Sequence, residues 1–331
     1  MHALRLRAPV LMTLLLSLAL PPLVPAQVSY GGYLAVGYTK TQSEGENPKG
    51  YLDSILGGLF ARGVFNGRFG FLVEATFADE SGVGIKQAWA GFVPSEKFNV
   101  KAGLYLVPFG VWNRADRPHE QPLVTTPLNL SYLYPAAWRD IGVVVEGRVS
   151  VISYAFYIGN GLKDAGLLNG GQQFRDNNTD KSRGGRLGLI LSESVSAGAS
   201  YYEGKYDDEG LFSHKLEGVD LSVVTSQWEL HGEYTKGFIE NPEPFERGET
   251  EGYSVWVVMS YRSFHPVASY QKIKYNDPFR GGGLALDQSR WSLGVRFVLS
   301  SSFFLKVEYD WNREEPKLKN NALRLQAALG F

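Results

Sequence analysis

Charged residues crowd one stretch of this chain that has no regular period. Between Pro108 and Arg139, 32 residues with five prolines, lie Arg114, Asp116, Arg117, Glu120 and Arg139, with His119 among them. Lys101, Glu146 and Arg296 occupy mid-strand positions whose neighbours alternate with apolar residues, so they would face the same aqueous space. Charges of both signs without a nucleophile–base signature suit the electrostatic handling of ions and polar solutes, not bond making. Arg114, Arg117 and Lys101 could act as free cations that set a local selectivity. They could equally pair with Asp116, Glu120 and neighbouring acids, and the sequence leaves both open.

Other chemistry is thinly represented. His119, His214 and His265 stand in or beside connections, while His231 lies between Glu229 and Glu233 on one strand face and can hydrogen-bond either carboxylate. Acyl-transfer signatures are missing, so an enzyme is a minor reading. The run Arg175 to Lys181 offers oxygen ligands in Asp176, Asn177, Asn178, Thr179 and Asp180, but lacks the glycine and terminal glutamate of an EF-hand loop. No metal and no cofactor is expected. Tyr33, Tyr105 and Trp256 could face the same space as a scattered stacking surface.

The elements that must position these residues are strands. Leu323, Leu325, Ala327, Leu329 and Phe331 alternate with Arg324, Gln326, Ala328 and Gly330, a strand apolar on one side only. The same alternation runs through Phe69–Phe77, Ile152–Ile158, Trp291–Leu299 and Phe303–Trp311. Taking every such run from Val28 onward gives about sixteen strands. The faces are ambiguous near 51–65, 84–94 and 266–275. Asn66-Gly67 is a strong hairpin signal. Connections after even-numbered strands are short turns, and most of those after odd-numbered strands are long and polar.

Arg5 and Arg7, the apolar run Val10–Leu20 and the small-residue site Val24-Pro25-Ala26 predict an export leader over residues 1–26. Its removal leaves 31 of the 33 basic residues against 34 acidic ones, a net charge of −3. No run of apolar residues is long enough for a membrane helix. The absence of cysteine excludes a disulfide scaffold, and the mildly acidic balance gives no support to nucleic-acid binding. Charges gather on one face of the strands. Arg68, Lys101, Arg186, Arg296, Lys306 and Arg324 stand opposite Glu74, Glu146, Asp220, Glu229, Glu233, Glu308 and Asp310, while the other face is nearly free of charge. A charge facing mid-membrane lipid costs about 2–4 kcal/mol for Arg or Lys, so the chargeless face is the one lipid would require. Residues 27–331 are therefore expected to form an all-β, transmembrane antiparallel barrel. A soluble barrel or sandwich, an anchor or an adhesin are the lesser alternatives. Sixteen strands leave an aqueous channel, and 108–139, the third long connection, resembles in position the constriction loop of general porins, which implies that it narrows the lumen.

Three runs carry a family likeness: Pro108-Phe109-Gly110 after Gly103-Leu104-Tyr105, then Arg139-Asp140-Ile141-Gly142-Val143, then Tyr157-Ile158-Gly159-Asn160-Gly161. Over about Val100 to Gly161 the chain resembles the phosphate-selective porin O and P family. The resemblance implies a trimeric outer-membrane porin, with Pro108, Phe109, Gly110, Asp140 and Gly142 as family motif residues. The last strand, apolar on one face and ending at Phe331, resembles the signal by which bacterial barrels are inserted into outer-membrane lipid, which implies the barrel-assembly machinery as a partner. Family members conduct phosphate through channels rich in arginine and lysine. Here six inward cations face seven acids, so the expectation is a weakly selective channel for small hydrophilic solutes, with a phosphate or anion channel as the alternative.

Overall fold

A computed structural model describes residues 27–78, 82–165, 168–276 and 286–331. The leader expected over 1–26 lies outside the described residues. The strands are β1 (Gln27–Thr41), β2 (Tyr51–Phe65), β3 (Phe69–Ala78), β4 (Gly82–Ser95), β5 (Phe98–Leu106), β6 (Arg139–Val149), β7 (Ile152–Gly159) and β8 (Ser182–Ile190). They continue as β9 (Val195–Lys205), β10 (Ser213–Val224), β11 (Trp228–Ile239), β12 (Gly248–Met259), β13 (Phe264–Asn276), β14 (Leu286–Val298), β15 (Phe303–Glu314) and β16 (Ala322–Gly330). Each pairs antiparallel with its sequence neighbours, and β1 pairs with β16 to close a sixteen-stranded barrel. Closure removes both sheet edges, which a spanning sheet in lipid must do.

The alternation of residue types becomes an alternation of faces. On β15, Phe303, Leu305, Val307 and Trp311 are exposed on the outer surface, while Lys306, Glu308 and Asp310 are buried on the inner one. Aromatic side chains mark one rim of the outer band: Tyr253 lies 5.9 Å from Tyr270, Tyr270 lies 4.6 Å from Trp291, and Trp291 pairs with Trp311 across the β14–β15 ladder. Asn66 and Gly67 both have positive φ in the β2–β3 turn, as the hairpin signal requires.

The ambiguous strands have physical explanations. Across β1–β2, Ala35 faces Leu56 but Gly37 faces Asp53, so β2 holds one extra residue and its pattern changes phase. On β4, Glu74 faces Gln87 and Ala75 faces Ile85, which makes Lys86 the bulged residue, and a second shift lies between Phe92 and Ser95. β13 is regular, but it turns Val267 and Ile273 inward, against a packed interior.

Several expected boundaries are corrected. Arg68 lies exposed in the β2–β3 turn, not on the inner wall. Tyr261, which continues the period-two run Tyr253, Val255, Val257, Met259, lies beyond β12 and bridges Phe264 in the turn. β8, β10, β12 and β14 begin earlier than their apolar runs, because beyond the lipid both faces are wet and alternation fades while ladder bonding continues.

Candidate functional site

The connection between β5 and β6 folds into the barrel. Its two ends meet where Val107 N donates to Trp138 O at 2.9 Å. Asn113, fully buried, clasps the same point: Nδ2 donates to Val107 O (2.9 Å) and Trp138 O (3.0 Å), and Oδ1 accepts from Trp138 N at 2.7 Å. From there the segment reaches the wall on many sides. Gly110 N donates to Ser200 Oγ (3.2 Å), and Val111 N and Trp112 N both donate to Glu233 Oε1. Val124 N and Thr125 N donate to Glu308 (2.7 and 3.2 Å), and Leu128 N donates to Gln271 Oε1 (3.0 Å). Lys306 Nζ donates to Pro118 O at 2.6 Å and to Leu123 O at 3.3 Å. A strand wall has no free backbone groups to offer, so inward side chains satisfy the segment's own amides and carbonyls.

Its apolar side chains make a core inside the barrel. Phe109, Trp112, Leu128, Leu130, Leu133, Tyr134 and Trp138 pack with inward Tyr105, Tyr157, Tyr202, Leu216, Trp256, Val258, Val267 and Ile273. Tyr105 and Trp256 are thereby buried, as is Tyr33, so the three form no open stacking surface. The segment's own Trp112, Tyr134 and Trp138 are buried, with Tyr132 packed at the core's margin.

The opposite side of the lumen is polar and open. A gap of about 370 Å³ lies between the segment and β1–β4 and β16; its lining includes Thr39, Thr76, Lys86, Asp116, Gln121, Arg139, Arg324 and Gln326. It shares Thr39, Thr126 and Arg324 with a gap of about 520 Å³ that reaches the long-loop mouth at Glu44–Asn47 and Arg290. On the short-turn side, a third gap of about 460 Å³ is lined by Glu96, Asn99, Arg114, Glu146, Arg148 and Arg186.

The expected site residues separate into kinds. Lys101 is ion-paired with Glu146 and lies over the Trp89 ring at 4.5 Å. Arg117 grips Glu74 through Nη2 (3.0 Å) and Nε (3.3 Å), reaches Glu120 at 3.5 Å and covers the Phe60 ring. Asp116 pairs with Lys86 at 2.6 Å, not with Arg117, and burial raises its pKa above the usual carboxylate value. Arg139 donates to Ile85 O at 2.5 Å and stacks on Phe174. Arg296 lies over Phe304 at 4.6 Å. Only Arg114 of the three proposed selectivity cations has neither an ion pair nor a side-chain hydrogen bond among the described residues. It touches lumenal water yet is surrounded by the barrel, which lowers its pKa, with Arg186 adding to the effect; it remains charged at neutral pH.

The motif residues build attachments. Gly110 has φ +62°, and a Cβ there would stand 3.0 Å from the Glu233 carboxylate that holds the next two amides. Phe109 packs on Tyr134 and Trp138, and Pro108 lines the Arg114 gap. Asp140 accepts from the backbone N–H groups of Ile141, Asn160 and Gly161, fixing the start of the next long loop. A Cβ on Gly142 would meet Ile158 O at 1.9 Å.

Three residues escaped the sequence reading. Lys86 was hidden by its bulge, and nothing in the sequence marks Asn113. Arg290 was findable by parity with Trp291: it binds Asn312 Oδ1 (3.0 Å) and Thr126 O (3.3 Å). His231 stacks on Trp256, with Nδ1 2.9 Å from Ser222 Oγ and Nε2 3.6 Å from Glu229; Glu233 is committed to the segment instead. In the 175–181 run, Asn177 and Asn178 bond the neighbouring loop at Tyr206 O, Lys205 O and Asp207 O. No cluster of His, Asp and Glu among the described residues is placed to hold a metal ion.

No family model matches the chain. An uncharacterized protein of Aquifex aeolicus is 29% identical over 146 residues, a stretch covering 40% of this chain and only 33% of that protein. Solved structures share the architecture. The anion-selective porin from Comamonas acidovorans superimposes with a TM-score of 0.69 at 12% identity, over 93% of this chain and 100% of that one. Salmonella typhi OmpF, in complex with daunomycin, gives 0.69 at 12% over 92% and 97%. The trimer form of OmpT, an outer membrane protein of Vibrio cholerae, gives 0.67 at 11% over 92% and 99%. At these identities the likeness is one of fold. The chain has the transmembrane barrel fold of bacterial outer-membrane porins, and its uncharged, apolar outer band is what that membrane requires.

Proposed function

We propose that this chain is an outer-membrane channel for passive diffusion of small hydrophilic solutes and ions, with weak charge preference. The observation that carries this reading is the division of the lumen. Segment 107–138 fills the β5–β13 side with an apolar core and leaves a polar lane along β1–β4 and β14–β16. Segment 108–139 then acts as the constriction, and the lane beside it as the path. Weak preference follows because Lys86, Lys101, Arg117, Arg186 and Arg324 are each engaged with an acid, and paired charges present little net field to a passing ion. Arg114, without an ion pair among the described residues, favours a second reading, a modest preference for anions such as phosphate.

The channel reading is non-catalytic. Ser222, His231 and Glu229 line up across β10 and β11, but Ser222 sits mid-strand between two ladders whose backbone N–H groups are committed to strand pairing. An acyl-transfer site needs free donors aimed at a developing oxyanion. By the same reading the leader is removed before Gln27, the last strand ending at Phe331 is recognised by the assembly machinery, and the barrel works as a homotrimer.

Planar-bilayer recordings of the refolded protein under a potassium chloride gradient, repeated with added phosphate, test the proposal. A conducting pore with a small reversal potential and no phosphate block supports it. Strong anion preference with block supports the second reading, and no conductance refutes both.

A further inference from the structure

We infer that the outer wall of the barrel carries a binding site for a phosphorylated lipid of the outer leaflet, at the long-loop rim of β14 and β15. A groove of about 630 Å³ opens there on the lipid side, not into the lumen. Its floor is apolar: Trp291, Leu293 and Trp311, between 40% and 49% exposed on the outer face, with Leu318 at the upper edge. Trp291 and Trp311 face each other across the β14–β15 ladder, at the level of the aromatic ribbon formed with Tyr253 and Tyr270. Such ribbons mark the membrane–water interface.

Directly above this floor stand three cations. Arg313 is two residues beyond Trp311 on the same outward face, and Lys317 and Lys319 come from the connection between β15 and β16. No acidic side chain joins them in the groove, and none of the three is in an ion pair among the described residues. Of the nearby acids, Glu314 accepts from Gln288 and Asn320, Glu44 accepts from the Lys319 backbone N–H, and Glu315 is exposed between Arg313 and Lys317; none of the three lines the groove. A neighbouring groove on the same ribbon behaves differently. There Lys272 pairs with Asp287 at 3.2 Å, and Glu251 accepts from Tyr234. Uncompensated cations over an aromatic floor match a headgroup phosphate above an acyl chain, and the compensated groove does not.

Each Lys or Arg near an anionic lipid surface is worth about fivefold in binding, so the three together should give about a hundredfold. The test uses the full refolded chain in neutral detergent, with lipid A carrying both phosphates and its enzymatically dephosphorylated form as probes, read by native mass spectrometry and by thermal stabilisation. Bound phosphorylated lipid A, lost at least tenfold in the Arg313→Gln/Lys317→Gln/Lys319→Gln variant and on dephosphorylation, is the expected result. Lys272→Gln should leave binding unchanged. Displacement by millimolar inorganic phosphate alone would show an anion site without a lipid component and overturn the assignment. So would equal binding by the triple variant, whose folding is checked independently by its heat-resistant barrel migration.

Discussion

Replacing Asn113 by Ala should free the segment that divides the lumen while leaving the barrel intact. Asn113, near the start of the segment, makes three buried hydrogen bonds that tie together its two ends at Val107 and Trp138. Truncation leaves Trp138 N–H without a partner, at about 1–3 kcal/mol for a buried unsatisfied donor. The two carbonyls suffer less, because Val107 O still accepts from Phe109 N and Trp138 O from Val107 N. Losing their second bonds adds about 0.5 kcal/mol each, the low end for a net hydrogen bond. A total of about 3 kcal/mol raises the population of the undocked segment roughly a hundredfold. None of this touches strand pairing, so barrel melting should hardly move. The assay is hydrogen exchange at the amides of 107–138 together with open-channel noise in bilayers. The control is Asn129→Ala: Asn129 is equally buried in the same segment, but neither of its amide atoms has a partner among the described residues, so its loss costs packing alone. If Asn113→Ala shows the exchange rates and noise of Asn129→Ala, the clasp does not hold the segment and the reasoning fails.

Arg114→Gln should change stability by no more than about 0.5 kcal/mol, as its side chain has no ion pair or hydrogen bond to lose among the described residues, while moving the reversal potential toward cations; an unmoved potential would place Arg114 off the ion path. Asp220→Asn should do the opposite: it uncouples the buried Arg186 guanidinium, which Asp220 holds through Nε at 2.9 Å, costing about 3–5 kcal/mol in barrel stability and moving the potential toward anions in the protein that refolds. His119 lies in the inserted segment, where burial lowers its pKa and Arg117, Lys306 and Lys86 add to that against the pull of Glu120. Its docked form therefore binds fewer protons than its undocked form, so docking is fully stable above the ordinary histidine value of about 6.5 and weakens as pH falls below it. Asp116, whose pKa burial raises, works in the opposite sense nearer pH 4. Protection of the segment's amides, taken relative to their base-catalysed intrinsic exchange rates, should thus fall between about pH 6.5 and 5 and lose that dependence in His119→Gln; an identical profile in the variant would dismiss the histidine.

The barrel was legible in the sequence because lipid imposes a chemical rule on every second residue. Phe303, Leu305, Val307 and Trp311 face outward on β15 for the reason that Lys306, Glu308 and Asp310 cannot. Strand number and antiparallel order follow from that alternation and from the placement of the long connections; the inward course of the residues after Leu106 does not. The readings that failed lie where a second interior overrides the rule. Lys86 and the extra residue of β2 shift phase at bulges, which only the pairing register reveals. β13 turns Val267 and Ile273 inward because its inner face meets the inserted segment, not water. Charge pairing also lay beyond the sequence: Arg117 is near Asp116 and Glu120 in the chain, yet its main partner is Glu74 from a different strand, while Asp116 goes to Lys86. Period-two patterning reports the solvent on each side of a strand. Which acid meets which cation depends on how a long, aperiodic segment settles inside the closed barrel, and only the tertiary structure decides that.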